Sequence, residues 1–159
     1  MIKVGDTIPN ATLREKTAEG VKPVTTDELF KGKKVALFAL PGAFTPTCSA
    51  KHVPSFVSNA DALKAKGISD IVCISVNDAF VMEAWGKDQK AEGKVRMLAD
   101  GNGEFSEALG LTFDASGFGM GKRSQRYAMV VDNGVVTTLN VEKPGAFEVS
   151  SGEAVLKAL

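Results

Sequence analysis

The chain has 159 residues, 44% of them hydrophobic, which suits one compact domain spanning residues 1–159 with a substantial core. Lysine plus arginine equals aspartate plus glutamate at 19 each, a balance that gives no support to nucleic acid, an acidic membrane or a polyanion as the main partner. No apolar run approaches the roughly 20 residues that span a bilayer, and the opening MIKVGDTIPN carries neither a signal-peptide core nor an arginine-rich transit pattern, so the expected location is cytoplasmic.

The first local signal in chain order is a capping box from Thr25 to Glu28. KKVALFAL (33–40) follows, an unbroken apolar run that predicts a strand buried on both faces. Residues 45–67 place Val53, Phe56, Val57, Ala60 and Leu63 at helical spacing; Pro54 is expected to kink this helix or end its first piece, and Gly67 to stop it. DIVCISV (70–76) is a second buried strand, 78–93 a second helix, and VRMLA (95–99) a third strand. A short helix is expected around 103–109, then a glycine-rich loop over 114–125. Two β-rich runs over 126–142 meet at Asn133-Gly134, a strong hairpin signal. Ser150 and Glu153 predict a second capping box before a terminal helix. Strand, helix, strand, helix, strand, then a hairpin and a last helix is a thioredoxin-like α/β arrangement, with a central mixed sheet flanked by helices and an N-terminal extension.

The chemistry-bearing residues concentrate in ALPGAFTPTCSAKHVP (39–54), which holds Cys48 and the only histidine, His52. Thr45 suits a helix N-cap and Pro46 the first helical position, which puts Cys48 in the first turn. Backbone N–H groups there have no helical partners and the helix dipole favours negative charge, so a thiolate is stabilised. The spacing thus supplies an activated sulfur nucleophile at a strand-to-helix junction, beyond the carboxyl end of a strand, where open α/β sheets bind ligands. The Thr45 hydroxyl can orient a small oxygen substrate or cap the helix, Pro41 and Pro46 stiffen the loop, and Phe44 is placed to screen the sulfur from water. Cys48, Cys73 and His52 lack zinc-site spacing, so no metal and no cofactor is expected.

Pro41, Thr45 and Cys48 stand in a Pro-x-x-x-Thr-x-x-Cys pattern that resembles the peroxiredoxins. The longer stretches PGAFTPTCSAKHVP and SVNDAFVMEAWGKDQKAEGKVRMLAD are similar to the type II, or peroxiredoxin-five, subgroup, and the likeness extends to QRYAMVVDNG and almost the whole chain. The resemblance implies a thioredoxin-like fold and a peroxidase that reduces hydrogen peroxide and alkyl hydroperoxides. It makes Cys48 the peroxidatic cysteine, oxidised to a sulfenic acid, Thr45 its hydroxyl partner, Pro41 the shield of the site and Arg126 the active-site arginine. Without it, Lys122 and Arg123 would be equal candidates. It also implies a homodimer and recycling by glutaredoxin with glutathione, or by thioredoxin.

Other residues carry two readings. His52, four residues beyond Cys48, can modulate the thiol or simply pack and bond locally. Cys73 lies inside IVCISV, where a small apolar core residue is expected, although some relatives of the subgroup carry their second cysteine there. The C-terminal third, where other members keep a resolving cysteine, has none. Two other functions share these residues. One is a Cys–His hydrolase using Cys48 with His52; the other is a non-catalytic redox sensor or holdase.

Overall fold

The computed structural model describes residues 1–159. In chain order it contains β1 (Thr12–Thr17), β2 (Gly20–Thr25), α1 (Thr26–Phe30), β3 (Lys34–Ala39), a π turn (Cys48–His52) running into α2 (Val53–Ala65), β4 (Asp70–Ser75), α3 (Ala79–Asp88), β5 (Arg96–Ala99), α4 (Glu104–Leu109), β6 (Thr112–Asp114), β7 (Lys122–Ser124), β8 (Tyr127–Asp132), β9 (Val135–Val141) and α5 (Gly152–Lys157). Seven strands form one mixed sheet in the order β2-β1-β5-β4-β3-β8-β9. Strands β3, β4 and β5 run parallel; β8 and β9 extend the sheet antiparallel on one side, β1 and β2 on the other. The apolar runs at β3 and β4 are buried on both faces because helices cover both sides. One core layer packs Phe38, Phe56, Leu63, Trp85, Cys48 and Cys73; the other packs Leu13, Leu29, Phe30, Leu37, Phe105 and Tyr127.

The local signals are met with three corrections. Thr25 caps α1 by accepting from the Glu28 N–H at 3.2 Å, and the hairpin turns at Asn133 and Gly134, both at positive φ, as the tight turn requires. The cap of α5, however, is Ser151, which accepts from the Ala154 N–H at 3.1 Å, not Ser150. Ser150 is turned the other way, its N–H and its hydroxyl both donating to Glu142. The glycine-rich segment is not all loop: β6 and β7 pair antiparallel through Thr112–Ser124, Phe113–Arg123 and Asp114–Lys122. The helix over 78–93 ends at Asp88, with Gln89 as its C-cap.

Pro54 does not stop the helix, which runs on to Ala65, but the expected distortion is present as a π turn immediately before it. A proline at this place has no N–H to bond Ala50, and its ring would press on that carbonyl. The preceding turn widens instead, with the Val53 N–H bonding the Cys48 carbonyl five residues back. Helix α2 then carries α5 at close range. A Cβ at Gly152 would collide with the Ser55 carbonyl, and the Gly152 N–H donates to Ser55 Oγ at 3.0 Å.

Candidate active site

Strand β3 delivers the chain to Pro41, and residues 41–45 turn it into the helix that begins at Pro46. Two side chains from elsewhere hold that turn. Asn77 accepts from the Ala43 N–H at 2.9 Å and from the Ser75 hydroxyl at 2.6 Å, and Arg123 donates to the Pro41 carbonyl at 3.4 Å. Phe44 has φ +63 and is more than half exposed, its ring 6.4 Å from that of Trp85. Trp85 is fully buried and donates to Ser49 Oγ at 3.1 Å, tying α3 to the helix start.

Thr45 does not cap the helix. Its hydroxyl donates to the Gly42 carbonyl at 2.6 Å, because the turn folds that carbonyl back toward it. The proton is thereby committed, and the oxygen lone pairs remain to accept from a ligand O–H. Cys48 lies in the first turn beyond it, as the spacing predicts, and is fully buried.

Cys48, Arg126 and His52 form a row of hydrogen-bonded side chains, of which Arg126 alone bonds the sulfur. Arg126, immediately before β8, donates from Nη2 to Cys48 Sγ at 3.2 Å and from Nη1 to His52 Nδ1 at 2.8 Å. His52 Nε2 lies 2.9 Å from the Ser150 carbonyl, which can only accept. That bond assigns the ring proton to Nε2 and leaves Nδ1 as the acceptor for Arg126. Burial first, and then the Arg126 cation, push the His52 pKa down to about 3, so the ring is neutral near pH 7. Phe38, Phe56 and Phe147 surround it with ring centroids at 4.9, 5.8 and 5.2 Å. With Nε2–H given to Ser150 and Nδ1 filled by Arg126, His52 has no lone pair free to take a proton from Cys48. A Cys–His hydrolase therefore lacks its base.

The three basic candidates separate clearly. Lys122 pairs with Glu107, Arg123 binds the carbonyls of Met120 and Pro41, and Arg126 alone of the three bonds the sulfur. A hydroxyl with open lone pairs, a thiol in the first turn of a helix and a guanidinium on that sulfur suit attack on a small polar oxygen compound. No group of three or more His, Cys, Asp or Glu side chains is arranged to hold a metal ion, and no helix is long and apolar enough to cross a membrane.

Comparison with known proteins bears on the same chemistry. The redoxin family model matches residues 3–156. The chain is 56% identical to the chloroplastic peroxiredoxin-2E of Arabidopsis thaliana over 99% of its own length and 69% of that protein's. Arabidopsis peroxiredoxin-2D is 49% identical over 99% and 98%. The chain belongs to the peroxiredoxin family. Its fold matches reduced Prx3 of Vibrio vulnificus, in complex with hydrogen peroxide, with a TM-score of 0.96, 59% identity and 99% coverage of both chains. This peroxiredoxin is a thiol-dependent peroxidase of the type II, peroxiredoxin-five-like kind.

In the peroxiredoxin the second cysteine is far less exposed to chemistry. Cys73 sits in the middle of β4, paired with Phe38 on one side and Met97 on the other. Burial, and then the neighbouring Cys48, raise its thiol well above the ordinary cysteine range. Both cysteines are free thiols. Sequence reasoning missed Asn77, Arg123 as an anchor of the Pro41 turn, and Ser150 as the acceptor for His52. Arg123 and Ser150 carry no local signal, because each acts across a long stretch of chain. For Asn77 a signal was available in its place just after an apolar strand, where βα loops of α/β folds build sites.

Proposed function

We propose that Cys48 is the peroxidatic cysteine of this enzyme and that Thr45, Arg126 and Pro41 complete its site. The observation that carries the reading is the Arg126 guanidinium 3.2 Å from Cys48 Sγ. The Cys48 thiolate attacks one peroxide oxygen; an S–O bond forms and the O–O bond breaks. The electron pair leaves on the second oxygen as hydroxide or alkoxide, which takes a proton from solvent, and the sulfur is left as a sulfenic acid. Arg126, a permanent cation with several fixed N–H donors, stabilises the thiolate beforehand and the departing oxygen in the transition state. The Thr45 lone pairs receive the peroxide O–H and set its approach, while Pro41 stiffens and covers the turn. Cys48→Ser is expected to fold and to lose all turnover of hydrogen peroxide; steady-state turnover above background in that variant would end this assignment.

The sulfenic acid is reduced by an external thiol, glutathione with glutaredoxin in preference to thioredoxin. Two features support an external thiol over an internal one: the buried, mid-strand position of Cys73 and the absence of cysteine beyond residue 73. The enzyme acts as a homodimer. In support, Phe44, Phe80 and Phe118 are largely exposed apolar side chains on three segments joined around the Pro41 turn through Asn77 and Arg123. Sedimentation of Phe44→Asp and Phe80→Asp should give monomers; dimers unchanged in both variants would exclude this face.

A further inference from the structure

Beyond Arg126 and His52 the row of bonds does not stop, and its far end is a carboxylate. Glu142 follows β9, and its N–H donates to the Arg126 carbonyl at 2.9 Å, so the two residues face each other across the end of the β8–β9 ladder. Its side chain turns into the 143–151 segment. There Oε2 accepts from the N–H groups of Glu148, Val149 and Ser150, each at 2.8 Å, and from the Ser150 hydroxyl at 2.7 Å. Glu142 is only 7% exposed and Ser150 is fully buried. Burial by itself would raise the carboxyl, but the Ser150 hydroxyl and the three N–H groups outweigh it and keep it below the ordinary carboxylate range. An ionised group with four convergent donors is a strong anchor for a segment that otherwise has little regular structure.

What that anchor holds is the Ser150 carbonyl, the acceptor for His52 Nε2–H. We propose that Glu142 is a positioning residue for the peroxidatic site: by clamping residues 148–150 it fixes the His52 tautomer, and through it the aim of Arg126 at Cys48. This rests on Cys48 and Arg126 serving as described above. The physical step is a matter of donors and acceptors. If the Ser150 carbonyl leaves its place, nothing holds the ring proton on Nε2. A proton on Nδ1 would then meet the Arg126 Nη1–H donor to donor, and the guanidinium would be driven off the line that also brings Nη2 to the sulfur. The titratable groups facing Cys48 from the packed elements are Arg126, His52 on its own helix and Cys73 on β4. Glu142 acts on the sulfur only through that row.

The test compares Glu142→Ala, Glu142→Gln and Ser151→Ala. The last removes the cap of α5, one residue from the clamp, without touching the row. Each variant is read for melting temperature, the rate constant with hydrogen peroxide, and the pH midpoint of the thiolate absorbance. Glu142→Ala should lower the rate constant by about tenfold, the lower end of what loss of a histidine-orienting partner costs in metal sites, and move the midpoint to higher pH. Glu142→Gln keeps an acceptor oxygen but loses the charge, so it should shift both in the same direction by less. Ser151→Ala should melt earlier with both readouts unchanged. Wild-type rate and midpoint in folded Glu142→Gln would overturn the proposal, even where Glu142→Ala does not fold. Equal shifts in Ser151→Ala would overturn it too, by showing a general loosening of the C-terminal segment. Activity in Cys48→Ser would instead remove the reading beneath it, whereas an inactive Cys48→Ser beside wild-type Glu142 variants would remove only this inference.

Discussion

Cys48 and Cys73 are both fully buried, both free, and both part of the same core layer on one face of the sheet. Their surroundings otherwise differ in kind. Around Cys73 the backbone is consumed by ladders to β3 and β5, its neighbours in the strand are Val72 and Ile74, and burial pushes the thiol up. Around Cys48 the chain is starting a helix, and a guanidinium bonds the sulfur. On the proposed reading of Cys48, burial alone does not make a thiol inert: a buried charge without a counter-charge is costly, whereas a fixed cation beside it offsets that cost.

The comparison breaks most sharply if the cation is removed. Arg126→Met leaves Cys48 buried at a helix start, much nearer the condition of Cys73. The rate constant with hydrogen peroxide should fall by at least tenfold, and by about 10²–10³ if the guanidinium acts as a full transition-state donor. The thiolate absorbance should titrate at higher pH. A wild-type rate constant and titration would return Lys122 or Arg123 to candidacy.

A smaller effect tests the neutral histidine that holds this cation. The folded value for His52 is depressed from 6.5 to about 3, so below pH 6.5 the unfolded chain takes up a proton that the folded one refuses. The contribution is fully present above pH 6.5 and is lost as pH falls toward 3, at up to about 1.4 kcal/mol per pH unit. Urea unfolding across that range should show a shallower acid loss in His52→Gln than in the wild type. Identical slopes would mean that His52 is not held neutral.

The smallest effect is expected at Cys73 itself. Cys73→Ser should turn over peroxide at close to the wild-type rate with glutathione and glutaredoxin, and peroxide-treated wild type should carry its glutathione adduct on Cys48. Lost turnover in the variant, together with a Cys48–Cys73 disulfide formed within the cycle, would make Cys73 a resolving thiol and erase the contrast between the two.

Much of this was legible in the amino-acid order, because the signals are local. The runs at 33–40 and 70–76 can satisfy their side chains only inside a covered sheet. Asn133-Gly134 can turn where other pairs cannot, and Thr45-Pro46 places Cys48 in a first helical turn whatever the rest of the chain does. The family-like motif named Arg126, which spacing alone did not separate from Lys122 and Arg123. Tertiary structure decided the remainder. Ser151 rather than Ser150 accepts from the Ala154 N–H, while the Ser150 hydroxyl is turned to Glu142, eight residues earlier, and the Thr45 hydroxyl is turned to the Gly42 carbonyl at 2.6 Å. His52 became a neutral acceptor for Arg126 because the Ser150 carbonyl, 98 residues along the chain, lies against its other nitrogen. A hydrogen bond has one donor and one acceptor, and which of several capable groups obtains it depends on what else the fold brings within 3 Å.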